Sequence, residues 1–149
     1  MDPPVEGAYW VEPGRLLAGR YVDDVEGLGA AGVTLFVDLT EDGELPPYAD
    51  HVRHPARHVR RSIGDFSVTT EELMRETLDL IDAELESGGI VYLHCRGGCG
   101  RTGTVVACHL VRHGLTGEEA LTRVEELCGW SCPETAEQRA MVLAWRGGD

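Results

Sequence analysis

A chain of 149 residues has the length of one ordinary domain and is long enough to bury a core. Its 13 basic and 26 acidic residues leave a formal charge of −13 (13 − 26), which excludes general affinity for nucleic acid or anionic membrane and requires a local basic site for any anionic substrate. No apolar run approaches the roughly 18 residues of a membrane helix, no basic segment follows Met1-Asp2-Pro3-Pro4, and the five cysteines are an odd number, so a cytoplasmic protein without a disulfide framework is expected.

No repeat or linker interrupts the chain, and residues 1–149 read as a single domain. Arg15-Leu16-Leu17-Ala18-Gly19 reads as a strand, 25–31 as a short helix closed by Gly32, and 33–39 as a second strand. The stretch 41–50, with Gly43 and Pro46-Pro47, is a loop. His51, Arg53, His54, Arg57, His58, Arg60 and Arg61 then form a basic stretch in an acidic chain. It reads equally as a field around a phosphate site or as the solvated face of a strand balanced by carboxylates.

Thr69 and Glu72 fit a capping box, and Leu73, Thr77, Leu78, Ile81 and Leu85 share one face of the helix that follows, which Gly88-Gly89 ends. Ile90-Val91-Tyr92-Leu93-His94 is almost free of polar residues, as in a strand covered on both faces. A glycine-rich turn leads into a helix over 101–113. Thr116 with Glu119 caps another over 116–128, and Pro133 introduces a last one ending near Trp145. Strands separated by helices, then a helical last third, predict an α/β three-layer sandwich around a small, mostly parallel central sheet.

The chemistry concentrates in His94-Cys95-Arg96-Gly97-Gly98-Cys99-Gly100-Arg101-Thr102-Gly103, where a buried strand runs through three glycines into a helix. Glycines permit φ > 0 and let successive N–H groups turn inward, and the helix start adds unpaired N–H groups and the positive end of its dipole. Residues 96–101 are thus a candidate phosphate cradle: Arg96, Gly97, Gly98, Cys99 and Gly100, closed by Arg101. A thiol is nucleophilic as thiolate, and inward N–H groups, a helix N-terminus and a guanidinium all favour that anion at Cys95. Arg101 offers a planar fork that matches two phosphate oxygens, which lysine lacks. Asp65, in Ser62-Ile63-Gly64-Asp65-Phe66-Ser67, lies 30 residues upstream (95 − 65) in a loop and is the candidate general acid for the leaving group. Asp38, at a strand end, is the reserve.

His94-Cys95, five residues, then Arg101-Thr102 resembles the signature of the protein tyrosine phosphatase superfamily, and the short chain resembles its compact dual-specificity branch. The resemblance implies that Thr102 hydrogen-bonds the thiolate and assists breakdown of the phosphoenzyme, that His94 tunes the cysteine, and that the acid sits upstream as Asp65 does. Glu134-Thr135-Ala136-Glu137-Gln138 resembles the Q-loop of tyrosine-specific members, which implies a water-positioning Gln138, although Glu134 stands where that pattern has its first glutamine.

Cys99 is small packing or a trap for oxidised Cys95, and Cys108, Cys128 and Cys132 read as buried or incidental thiols. His109 and His113, at i, i+4, read as packing histidines because no third metal ligand is evident.

Thiolate, acid and guanidinium need no metal and no organic cofactor. The expected function is a phosphomonoesterase acting on phosphotyrosine in proteins, extended by dual specificity to phosphoserine and phosphothreonine. Small phosphate monoesters are also expected partners; nucleic acid and membrane are not. Beside it stand an inositol phosphate, phosphoinositide or RNA 5′-phosphate phosphatase, and a phosphate-binding module without turnover.

Overall fold

The computed structural model describes residues 1–21 and 23–147. Its elements are β1 (Ala8–Glu12), β2 (Leu16–Gly19), α1 (Val25–Ala30), β3 (Leu35–Asp38), β4 (Arg57–Arg60), α2 (Glu71–Glu86), β5 (Val91–His94), α3 (Gly100–Arg112), α4 (Gly117–Cys128) and α5 (Ala136–Ala144). The sheet runs β1-β2-β5-β3-β4, antiparallel between β1 and β2 and parallel elsewhere. This is the mostly parallel α/β sheet expected.

Side-chain alternation along these strands splits the core into two layers. Leu16, Ala18, Leu35, Val37, Val91 and Leu93 face one side and pack with buried residues of α2, α3, α4 and α5. Leu17, Phe36 and Tyr92 face the other, against Val25 and Leu28 of α1 and Tyr48. Both faces are covered, which is why the central strands carry almost no polar side chains. No helix among the described residues is long and apolar enough to cross a membrane.

Three local readings shift. β1, unmarked by any clean alternation in Ala8-Tyr9-Trp10-Val11-Glu12, is recruited as an edge strand by the tight turn at Gly14, whose φ of 75° favours glycine. The cap of α2 is Thr70, which accepts the N–H of Leu73 at 3.1 Å, one residue later than expected. With that frame Met74 is buried and Leu73 is exposed. Thr116 and Glu119 do form the expected capping box of α4. A second one, Thr135 with Gln138, starts α5 beyond Pro133.

The four parallel strands end together, at Gly19, Asp38, Arg60 and His94. In open α/β sheets this carboxyl edge is where ligands bind, and the glycine-rich turn leaves it from the central strand β5.

Candidate active site

Cys95 follows β5 directly and lies on the floor of the turn, where its Sγ accepts the backbone N–H of Gly98 at 3.2 Å. The sulfur is nearly buried while Arg96 and Gly97 at the rim are exposed. Gly98 makes the turn possible. Its φ is 81°, and a Cβ there would stand 2.7 Å from the carbonyl carbon of Gly19 and 2.8 Å from the nitrogen of Arg20, both backbone atoms that cannot rotate aside. α3 starts at Gly100, so its first-turn N–H groups have no intrahelical partner at this edge.

Arg101 is buried, and a residue the sequence reading did not single out holds it there. Glu44 grips the guanidinium with both oxygens, at 2.8 Å to Nη1 and 2.8 Å to Nη2. Nη1 also donates to the carbonyl of Ile63 at 2.9 Å, and Asp65 Oδ1 stands 3.4 Å from Nη2. The loop holding Asp65 therefore does reach the cradle. Nε of Arg101 is buried without a hydrogen-bond partner among the described residues. Nε, next to the Nη2 that Asp65 approaches, thus remains an unengaged donor of the fork.

The hydrogen bond from Arg101 lowers the Glu44 carboxyl from the ordinary 4.5 to about 2, against a smaller opposing effect of burial. A lowered folded-state value means that the pairing stabilises the fold above pH 4.5, and that this contribution fades as pH falls towards about 2. Arg96 leans on the same loop, with Nη2 donating to the carbonyl of Glu44 at 3.3 Å and Nε 3.8 Å from Oε2. Its charge clamps the loop over 41–48 rather than lining the cradle.

His94 sits behind Cys95. Burial lowers its tendency to hold a second proton, against the opposing charge of Asp38, and burial raises the phenol of Tyr48. Tyr48 therefore donates to Nε2 at 2.6 Å, and Nδ1–H donates to the carbonyl of Cys95 at 3.1 Å. This chain orients the peptide of the nucleophile, and both ring nitrogens are engaged by it.

Asp38 is excluded as the reserve acid. Burial alone would raise its carboxyl, but the hydrogen bond from His58 (3.0 Å) and the bonds from Thr40 (2.6 Å from Oγ1, 2.9 Å from N) outweigh it and hold Asp38 ionised well below the usual range. Three members of the basic stretch face carboxylates, with Arg57 on Glu84 at 3.2 Å and His58 and Arg60 on Asp38 at 3.0 and 3.4 Å.

Other expectations need correction. Thr102 donates to the carbonyl of Gly19 at 3.4 Å, not to the sulfur. Gln138 is fully buried. Its Oε1 accepts the N–H groups of Glu134 and Thr135, and its Nε2 donates to Ser67, so it ties the Asp65 loop to α5 with both ends of the amide engaged. Cys99 turns away from Cys95 and forms a disulfide with Cys132, their Cα atoms 5.1 Å apart. An odd cysteine count is compatible with one bridge, and Cys132 is not a free thiol. Cys95, Cys108 and Cys128 are free.

A family model described as the DSP-PTPase phosphatase domain of the Swiss Army Knife protein, PTP-SAK, matches residues 6–144. The human dual specificity protein phosphatase CDC14C is 29% identical over 91 residues, covering 58% of this chain and 20% of that one. The phosphatidylglycerophosphate phosphatase PTPMT1 of Arabidopsis thaliana is 28% identical over 125 residues, covering 82% and 37%. The chain thus spans well under half the length of these curated relatives. Among solved structures, Tk-PTP in its active form superposes with a TM-score of 0.85 at 29% identity, covering 92% of this chain and 94% of that one.

Proposed function

The chain belongs to the family of DSP-PTPase phosphatase domains, and from that premise we propose that it is a cysteine-dependent phosphomonoesterase that dephosphorylates phosphotyrosine in proteins, its dual specificity extending to phosphoserine and phosphothreonine. One observation carries the reading. The buried guanidinium of Arg101 keeps its Nε donor unengaged beside a turn whose N–H is aimed at the Cys95 sulfur.

In the first step the Cys95 thiolate attacks phosphorus, forming an S–P bond as the P–O bond to the alcohol or phenol breaks. Asp65 delivers the proton to the departing oxygen. The turn N–H groups and the Nε/Nη2 edge of Arg101 hold the equatorial oxygens as charge shifts. In the second step water attacks phosphorus, its proton passes to the Asp65 carboxylate, and the S–P bond breaks to release phosphate. A phosphoryl group on Cys95, trapped by acid quench during turnover and located by mass spectrometry, is the expected intermediate.

Asp65→Asn is expected to slow an alkyl phosphate or phosphothreonine peptide by about 10²-fold. The same change should slow p-nitrophenyl phosphate much less, because a good leaving group departs without a proton. Equal losses on both substrates would remove Asp65 from this role.

A second reading, a phosphate monoester on a lipid headgroup, is favoured by the similarity to the Arabidopsis PTPMT1 over 82% of the chain. Against it, the Arg57 and Arg60 cations are already paired with carboxylates. Values of kcat/KM for phosphotyrosine and phosphothreonine peptides, inositol phosphates and phosphatidylglycerophosphate vesicles decide between them. The protein reading expects the phosphotyrosine peptide to lead by at least about tenfold, or about 1.4 kcal/mol. A lead for the lipid replaces it with the second reading.

A further inference from the structure

At the far end of α3 from the cradle, three metal-ligating side chains converge from two helices. His109, in the last turn of α3, and His113, its C-cap residue, have ring centroids 4.5 Å apart, and Asp82 reaches them from α2. Asp82 Oδ1 is 2.9 Å from His113 Nε2 and 3.7 Å from His109 Nδ1, and the three donor atoms all lie within 4.8 Å of one another. Two donors on a tetrahedral ion with bonds of about 2.1 Å stand about 3.4 Å apart, so the two shorter separations bracket the required spacing.

The second observation is at His109, which is 1% exposed. Its Nε2 faces Glu12 Oε1 of β1 at 3.0 Å, while Nδ1 is buried with no hydrogen-bond partner among the described residues. A proton fixed on Nε2 by Glu12 leaves the Nδ1 lone pair directed at Asp82 and His113. A carboxylate behind a ligating histidine is the usual support of such a site. Arg112 Nη1 takes the other Asp82 oxygen, Oδ2, at 3.2 Å. That fixes the carboxylate and leaves Oδ1 for an ion, which must outweigh the nearby cation.

We propose that Asp82, His109 and His113 bind a divalent first-row transition-metal ion, Zn²⁺ foremost, with Glu12 as the supporting carboxylate. The donor set of two imidazoles and one carboxylate suits zinc, with water as the fourth ligand. On binding, the His113 proton now directed at Asp82 moves to Nδ1, so that Nε2 ligates the ion. The site pins α2 and β1 to α3, the helix that builds the cradle, and takes no part in the phosphoryl chemistry.

Titration of Zn²⁺ alone into chelator-treated protein tests this, on the Cys95→Ser, Cys128→Ser chain so that those two thiols do not compete. One ion per chain is expected, with a rise in Tm as zinc is added. His113→Ala, at a half-exposed position, and Asp82→Asn should each weaken binding at least about tenfold, and Glu12→Gln by about 10–100-fold. Bound Co²⁺ should show visible d–d bands without sulfur-to-cobalt charge transfer. No stoichiometric binding, full affinity in the His113 and Asp82 variants, or a sulfur charge-transfer band accounting for the bound cobalt would each overturn the proposal.

Discussion

Cys95→Ser is expected to reduce kcat for p-nitrophenyl phosphate by about 10⁴-fold or more while a phosphotyrosine peptide still binds within a few-fold of the unaltered protein. The loss follows from what surrounds the sulfur. A serine hydroxyl needs a base to become a nucleophile, and the neighbouring imidazole cannot act as one: Nε2 of His94 accepts from Tyr48 and Nδ1 donates to the carbonyl of Cys95. Asp65 lies beside Arg101 on the leaving-group side of the proposed reaction. Binding survives because the donors that hold phosphate belong to the turn and to Arg101, and serine is close to cysteine in size. Calorimetry with the peptide beside the steady-state assay separates the two effects. Turnover persisting in the serine variant would show that another group performs the chemistry, and loss of peptide binding with it would show that the turn depends on the sulfur.

The parts of this site that were legible in the sequence are those encoded over a few neighbouring residues. Cys95, the glycines and Arg101 occupy one strand–turn–helix, so their proximity follows from local geometry. Asp65 was legible as a loop acid between a strand-like segment and a helix, and the fold brings it to 3.4 Å from Arg101. Glu44 was hidden because it lies in a loop without periodicity, and its partner is 57 residues away. Tyr48 was hidden for the same reason, 46 residues from His94. Neither pairing leaves a spacing that can be read along the chain.

Thr102 and Gln138 were placed correctly in their helices, but their side chains find carbonyls and amides that only tertiary packing brings near. Cys99 and Cys132 show the same limit, since connectivity depends on where the segment before α5 returns. The histidine pair at the C-terminal end of α3 was visible as a pair. Asp82, which completes the cluster, comes from a separate helix.

Arg101→Lys is expected to lower kcat by about 10³-fold, with a smaller change in KM, because the charge is needed most when the phosphoryl group is in transit. Lysine restores a positive charge but neither half of the geometry. Arg101 uses Nη1 and Nη2 to engage Glu44, Nη1 also to engage Ile63, and keeps Nε for the ligand. The three donors of an ammonium diverge from one nitrogen and lack the planar fork that meets a carboxylate on one edge and phosphate oxygens on another. Glu44 touches no reacting atom and acts by setting the angle of the fork. Glu44→Gln, which retains one acceptor oxygen, should therefore cost only about tenfold in the unaltered background. In the Arg101→Lys background it should cost almost nothing further, because the fork it orients is gone. If the two losses instead multiply, Glu44 serves the reaction by a route independent of Arg101. If Arg101→Lys keeps kcat within tenfold, the bidentate edge is not what stabilises the transferring phosphoryl group.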